Sequence, residues 1–278
     1  MNQIIAPGKV AVITGAAKGI GTGVARELGA RGMRLALLDI DGDALEGVAG
    51  ELGKDVLVFP ADAANLDALF RFKNQIQARL GNVHLLVNNV GMTKHGGPWD
   101  APEGWQDTMT TNFTAVLAGQ HVFVPDMIAS GQPGAIVNLG SKEGITTPPG
   151  NAAYSVAKAG VKVLTEQLAH DLLTVTQGRL SAHLFVPGYT WTPMNFPDTD
   201  FSRDIKPEAP WSVEQLVDYF MARLMNEDFY ILCPDNEVTS EMDAKRIRWA
   251  MDDMIQNRPA LSRWHPNWKS RFAEWMKK

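Results

Sequence analysis

From residue 9 onward the chain alternates short apolar runs with stretches of helical period, and this alternation narrows the fold more than any other feature. "KVAVITG" (9–15), "MRLALLD" (33–39), "DVLVFPAD" (55–62), "VHLLVNN" (83–89), "GAIVNLGS" (134–141) and "RLSAHLFVPG" (179–188) read as strands. Most are nearly continuously apolar, as strands covered on both faces must be. Helical patterns lie between them near 20–31, 41–52, 65–80, 104–130 and 151–177. Such alternation predicts an α/β fold with a parallel, doubly wound sheet and right-handed crossovers. After Gly188 the rhythm changes. Residues 189–210 carry prolines and aromatics and read as a long functional loop. A helix near 212–226, a seventh strand "FYILC" (229–233), a helix near 239–257 and a Trp-rich tail (258–278) follow as a helical C-terminal extension. With no repeat and no low-complexity linker, residues 1–278 are expected to form one domain.

Composition excludes several function classes. The net charge is −5 with no basic stripe, which argues against a nucleic-acid partner. No apolar run approaches the ~18 residues of a membrane span. "MNQIIAPGKV" has neither the cationic start nor the apolar core of a secretory signal. Cys233 is the only cysteine, so no intrachain disulfide can form, and a cytoplasmic location is expected. The histidines (84, 95, 121, 170, 183, 265) show no metal-ligand spacing, and no metal is expected.

Two segments carry chemistry. The first strand runs into "TGAAKGIG" (14–21), where Gly15, Gly19 and Gly21 open the first helix. Glycines there allow a tight turn and close backbone approach, and a helix N-terminus favours an anion such as a pyrophosphate. A plain structural turn would use the same residues. Asp39 ends the second strand about 20 residues on, where a carboxylate accepts both hydroxyls of an adenosine ribose and repels a 2′-phosphate; an ordinary helix-capping Asp is the alternative. Lys18 pulls toward a 2′-phosphate, but the repulsion from Asp39 is short-range, so NAD is the expected cofactor. In "AAYSVAKAG" (152–160), Tyr154 and Lys158 stand one helical turn apart among small residues, on one face.

With "NNVG" (88–91), Asn112 and Ser141 added in order, the sequence resembles the short-chain dehydrogenase/reductase family over roughly residues 8 to 192. "TGAAKGIG" looks like the family's TGxxxGxG turn, with Ile20 between its last glycines. "NNVG" looks like NNAG, supplying Asn89 and Gly91, and "YSVAK" fits YxxxK. Ser141 stands 13 positions before Tyr154, the family's usual separation. "PGYTWT" (187–192) looks like the segment that covers the nicotinamide, with Pro187, Gly188, Thr190 and Thr192. Asp62 matches the acid near the adenine. The stretch before the serine reads "NLGS", so Gly140 stands where many relatives have a second serine.

The resemblance implies a Rossmann fold and an NAD-dependent oxidoreductase that interconverts a secondary alcohol and a ketone. Tyr154 would move the proton, and a nearby ammonium together with the positive nicotinamide ring of the oxidised cofactor would favour its phenolate. Ser141 would hydrogen-bond the same oxygen. Lys158 would also reach the nicotinamide ribose, and Asn112 would hold a water. The family also implies a homo-oligomer, a tetramer or a dimer, paired through the helices near 104–130 and 151–177 with apolar positions such as Val116, Val122, Val161 and Leu164. A non-catalytic sensor of nicotinamide nucleotides and an epimerase or dehydratase of the same fold are the alternatives.

Three further readings concern the substrate. Tyr189, Trp191, Met194, Phe196, Phe201 and Trp211 in or next to the 189–210 loop suit a bulky apolar or aromatic ligand. That loop is expected to stand open without ligand. Lys142 and Glu143 read as a solvated charge pair, and Trp249, Trp264, Trp268 and Trp275 as packing or interface residues.

Overall fold

The computed structural model describes residues 1–53, 55–94 and 96–277; His95 and the last residue of the tail, Lys278, lie outside them. Seven strands form one parallel sheet: β1 (Val10–Thr14), β2 (Arg34–Asp39), β3 (Val56–Pro60), β4 (Val83–Asn88), β5 (Gly134–Leu139), β6 (Leu180–Val186) and β7 (Tyr230–Leu232). Their spatial order is β3-β2-β1-β4-β5-β6-β7, as a doubly wound sheet requires. The order reverses between β1 and β4, which pair directly. Loops leaving their carboxyl ends therefore diverge and open a crevice there.

Side-chain alternation divides each strand between two cores. Ala11, Ile13, Leu35, Leu37, Leu85 and Val87 face α1 (Gly19–Ala30), α2 (Gly42–Leu52) and α8 (Val213–Met225). Val10, Val12, Ala36, Leu38, Leu86 and Ile136 face α3 (Leu66–Arg79) and α5 (Ala115–Ala129). Both sets are fully buried, which explains why the strand segments carry almost no polar residue. One polar chain crosses this interior. Asn88 Nδ2 donates to Asn138 Oδ1 (2.9 Å), and Asn138 Nδ2 donates to Thr165 Oγ1 (3.0 Å). It ties β4 and β5 to α7 (Ala152–Thr176) and sets that helix's position on the sheet.

Three expectations change, and the 189–210 loop gains a fixed base. The stretch 104–130 is not one uniform helix. α4 (Pro102–Met109) passes through a π turn at Thr110–Thr114 before α5. Val116, Val122 and Val161 are buried within this chain and cannot pair subunits; Val156 and Val163 on α7 are half-exposed instead. The 189–210 loop is tied across its base, with Trp191 N donating to Trp211 O (2.8 Å) and Trp211 N to Tyr189 O (2.9 Å). One helix lacks a counterpart in the sequence reading, α6 (Glu143–Thr146), too short to show periodicity, and the helical extension of the tail is α10 (Lys269–Lys277). α10 docks on α9 (Ser240–Ile255), where Trp249 is the hub: Phe272, Trp275 and Trp268 pack around it at 5.4, 6.0 and 6.3 Å. Among the described residues no helix is long and apolar enough to cross a membrane.

Candidate active site

The crevice at the β1/β4 switch point is a cleft of about 480 Å³. Gly15, Lys18, Gly19, Ile20, Asp39, Asp62, Asn89, Gly91, Tyr154, Lys158 and Thr192 line it. A second hollow of about 210 Å³ adjoins it and shares Ile20, Tyr154 and Thr192. Ser141, Pro187, Gly188 and Thr190 open onto this one. Gly21 and Asn112 line neither; both stand behind the wall.

The Gly-rich turn is built for close approach. Gly15 and Gly19 adopt positive φ (67° and 57°). A Cβ on Gly21 would lie 2.0 Å from Gly15 O, so no larger residue fits. Asn89 Nδ2 fastens the turn by donating to Gly15 O (2.8 Å) and Thr14 O (3.1 Å). α2, α3, α7, α8 and α9 each close their first turn with a side-chain cap, whereas α1, like α4, α5 and α6, has none. Its first N–H groups lack a side-chain cap, which is the arrangement that receives an anion. Asp39 sits beside this turn, with Oδ2 accepting from Ala17 N (3.0 Å) and Oδ1 from Asp41 N (3.1 Å). Lys18 turns away to pair with Asp41 at 2.5 Å, and that bond holds the Asp41 carboxyl below its ordinary value. The cation that could have drawn a 2′-phosphate is thus already engaged.

At the other end of the cleft, α7 presents Tyr154 and Lys158. The Lys158 ammonium is completely buried, donates to Leu139 O at 2.8 Å and lies 5.9 Å from the centre of the Tyr154 ring. Burial lowers its pKa to about 8. Burial also pushes the Tyr154 phenol up to about 12; a hydrogen bond with the Ser141 side chain acts the other way, and the Glu143 charge adds to the rise. In the free protein desolvation is therefore the leading influence on the phenol. Ser141 reaches this spot because α6 crosses α7 closely. A Cβ on Gly144 would lie 2.5 Å from the backbone carbon of Lys158. Asn112 occupies the π turn, where its Nδ2 donates to Met92 O (2.9 Å) and Thr108 O (3.0 Å) while its Oδ1 accepts from Met92 N (3.2 Å). The π turn moves this side chain to the loop after β4, a common use of such bulges near functional sites.

The family model for short chain dehydrogenases matches residues 9–201. The chain belongs to this family.

Among the relatives of this chain is the oxidoreductase SadH of Mycobacterium tuberculosis (strain H37Rv), 37% identical over 171 residues. That match spans 60% of this chain and 61% of the relative's length. A 3-oxoacyl-[acyl-carrier-protein] reductase, FabG, of Haemophilus influenzae is 31% identical over 69% of this chain and 78% of its own. Among solved structures, a short-chain dehydrogenase/reductase from Burkholderia phymatum in complex with NAD superposes with a TM-score of 0.81 at 26% identity. It covers 93% of this chain and 97% of that one.

The second hollow differs from the sequence reading. Lys142 and Glu143 are not a solvated pair. Lys142 lies between two buried carboxylates, 2.7 Å from Asp243 and 3.6 Å from Asp235. Glu143 is half-buried at the hollow's wall, where desolvation raises its pKa. Trp191, Phe196 and Phe201 pack on one another, with ring centres 4.3 and 4.9 Å apart, and Trp211 packs on Tyr219. Only Tyr189 and Met194 of the expected aromatic set line the hollow. Asp235 escaped the sequence reading altogether. Its Oδ2 accepts from Tyr189 N (3.1 Å) and its Oδ1 from Val238 N (2.8 Å), tying the segment after Gly188 to the loop after β7. A single acid in a loop carries no periodic signal.

Proposed function

We propose that this chain is an NAD-dependent dehydrogenase that interconverts a secondary alcohol and a ketone on a substrate with a bulky apolar or aromatic substituent. The observation that carries this reading is that Ser141, Tyr154 and Lys158 meet at one end of a cleft whose other end is Asp39 and an uncapped helix. Bound NAD would accept the hydride. Gly15, Gly19 and the α1 amides would hold its pyrophosphate, and Asp39 its adenosine ribose. Thr192 fits a polar ligand at the junction of the two hollows, since its Oγ1 is buried and has no hydrogen-bond partner among the described residues. Tyr154 would take the alcohol proton in oxidation and return it in reduction. Ser141 would hold the substrate oxygen. Lys158, protonated below its pKa of about 8, would hold the cofactor ribose and stabilise the phenolate. Asn112 would help order a water beside Lys158. The oligomer would be a dimer or tetramer paired through α7, where Val156 and Val163 lie open.

Turnover followed at the reduced-nicotinamide absorbance tests this reading. Benzylic secondary alcohols are expected to exceed polyols and short aliphatic alcohols by more than ~10-fold in kcat/KM, since one buried ring is worth about 1.5–3 kcal/mol. Tight NAD binding with no turnover across the panel would indicate a sensor instead. Cofactor choice is tested separately. NAD is expected to exceed NADP by at least ~10-fold in kcat/KM, and Asp39→Ala to narrow that gap by relieving repulsion of the 2′-phosphate. Equal use of both by the wild type would show that Asp39 does not discriminate.

A further inference from the structure

A third cavity, of about 320 Å³, lies between α6, α9 and the segment leading to α10, and it shares no lining residue with the two hollows above. We propose that it is a second binding site, for an organic anion with an apolar body such as a medium-chain or aryl carboxylate.

Two guanidinium groups, Arg246 and Arg263, line the cavity. Neither makes an ion pair with any carboxylate among the described residues, and Arg246 Nε is buried with no hydrogen-bond partner. Arg263 lies over Trp264 and Phe272, with its central carbon 4.6 and 5.1 Å from the ring centres; this stacking leaves its N–H edge free. Asp253 also lines the cavity, and it and the neighbouring Asp243 are already committed. Asp253 accepts from Arg258 Nε (2.9 Å) and from Ser262 Oγ (2.6 Å). Asp243 contacts Lys142, although it also draws on Arg263. Burial and the nearby Arg246 charge both lower the Arg263 pKa, as two like charges sharing a hollow should.

The remaining walls select against a bare inorganic ion. Trp249, Trp264, Met251 and Leu261 give an apolar lining around the two cations. A few convergent polar groups in an apolar hollow of at least ~300 Å³ is the usual form of a small-molecule site. A carboxylate on an aliphatic or aromatic body would use both the cations and the walls.

Calorimetric titration of the full chain with decanoate, decanol and inorganic phosphate, all below the micellar limit, tests the proposal. Decanoate is expected to bind one site per chain at least ~10-fold more tightly than either decanol or phosphate. Its affinity should fall as salt rises from 0.05 to 0.5 M, while that of decanol should not. Arg246→Gln and Arg263→Gln should each weaken decanoate at least ~10-fold, and Tyr154→Phe should leave it unchanged, which separates this site from the one proposed for catalysis. Should either glutamine variant misfold by circular dichroism, the salt dependence of the wild type still decides. Equal binding of decanoate and decanol, binding that survives both replacements, or no binding at all would overturn the proposal.

Discussion

Tyr154→Phe is expected to lower kcat at least ~100-fold while leaving NAD affinity nearly unchanged. The ring stays, so the packing around a side chain that is 8% exposed is kept. Only the hydroxyl that carries the transferable proton is lost. The pH profile offers a second readout. With the phenol raised to about 12, its ionised fraction at neutral pH is small and grows about tenfold per pH unit. Alcohol oxidation by the wild type should therefore climb with pH from 6 to 8. It should climb less steeply above about 8, where Lys158 loses its proton and stops supporting the phenolate. Ketone reduction, which uses the protonated phenol, should stay flat over the same range. Near-normal turnover of Tyr154→Phe would remove Tyr154 from the mechanism, and a flat oxidation profile would remove it as the base.

Lys158→Met is expected to abolish most turnover and weaken NAD binding, yet to stabilise the cofactor-free protein at pH 7. Burying the ammonium lowers its pKa from 10.5 to about 8. That difference corresponds to a penalty on the order of 3 kcal/mol for keeping it charged. Methionine is similar in length and needs no charge solvation, but it leaves Leu139 O without its donor, which costs about 1–3 kcal/mol. The net gain at pH 7 should be about 1–2 kcal/mol by urea denaturation. The sign follows from proton counting. Between about pH 8 and 10.5 the unfolded chain holds the Lys158 proton and the folded chain does not. Wild-type stability therefore gains on the variant as pH rises through that window, and the gap should close at about pH 9 and reverse by about pH 10. The raised Tyr154 pKa acts oppositely, costing stability above pH 10, and it does so in both proteins. A variant less stable than the wild type at pH 7 would show that the Leu139 contact outweighs desolvation. The same variant tests the stability–activity trade-off expected of a strained functional group.

The sheet was legible because it is a matter of local pattern. A strand buried on both faces has to be apolar at nearly every position, and "VAVIT", "RLALLD" and "GAIVNL" are. Each crossover then follows from chain handedness. The Gly-rich turn was legible for a similar reason: only glycine tolerates a Cβ position 2.0 Å from Gly15 O, so the constraint is written at residue 21 itself. Tyr154 and Lys158 needed only the period of a helix.

Tertiary structure alone decided the rest, because it depends on groups far apart in the chain. The π turn that aims Asn112 is not a propensity of "TTNFT"; it goes with the hydrogen bonds to Met92, 20 residues away. Lys142 and Glu143 are adjacent and of opposite charge, and in isolation they would pair in water. The fold instead sets Lys142 against Asp235 and Asp243 and leaves Glu143 beside Tyr154, because buried carboxylates require a cation more than a solvated one does. The aromatics of the 189–210 loop looked like a substrate wall by composition, but whether rings face a ligand or one another depends on how the loop closes. The bonds between Trp191, Tyr189 and Trp211 close it so that Trp191, Phe196 and Phe201 pack together. The tyrosine pKa has the same origin. Spacing supplies the ammonium next to the phenol, but the amount of water excluded from both is a property of the packed interior, and there it raises the phenol and lowers the ammonium.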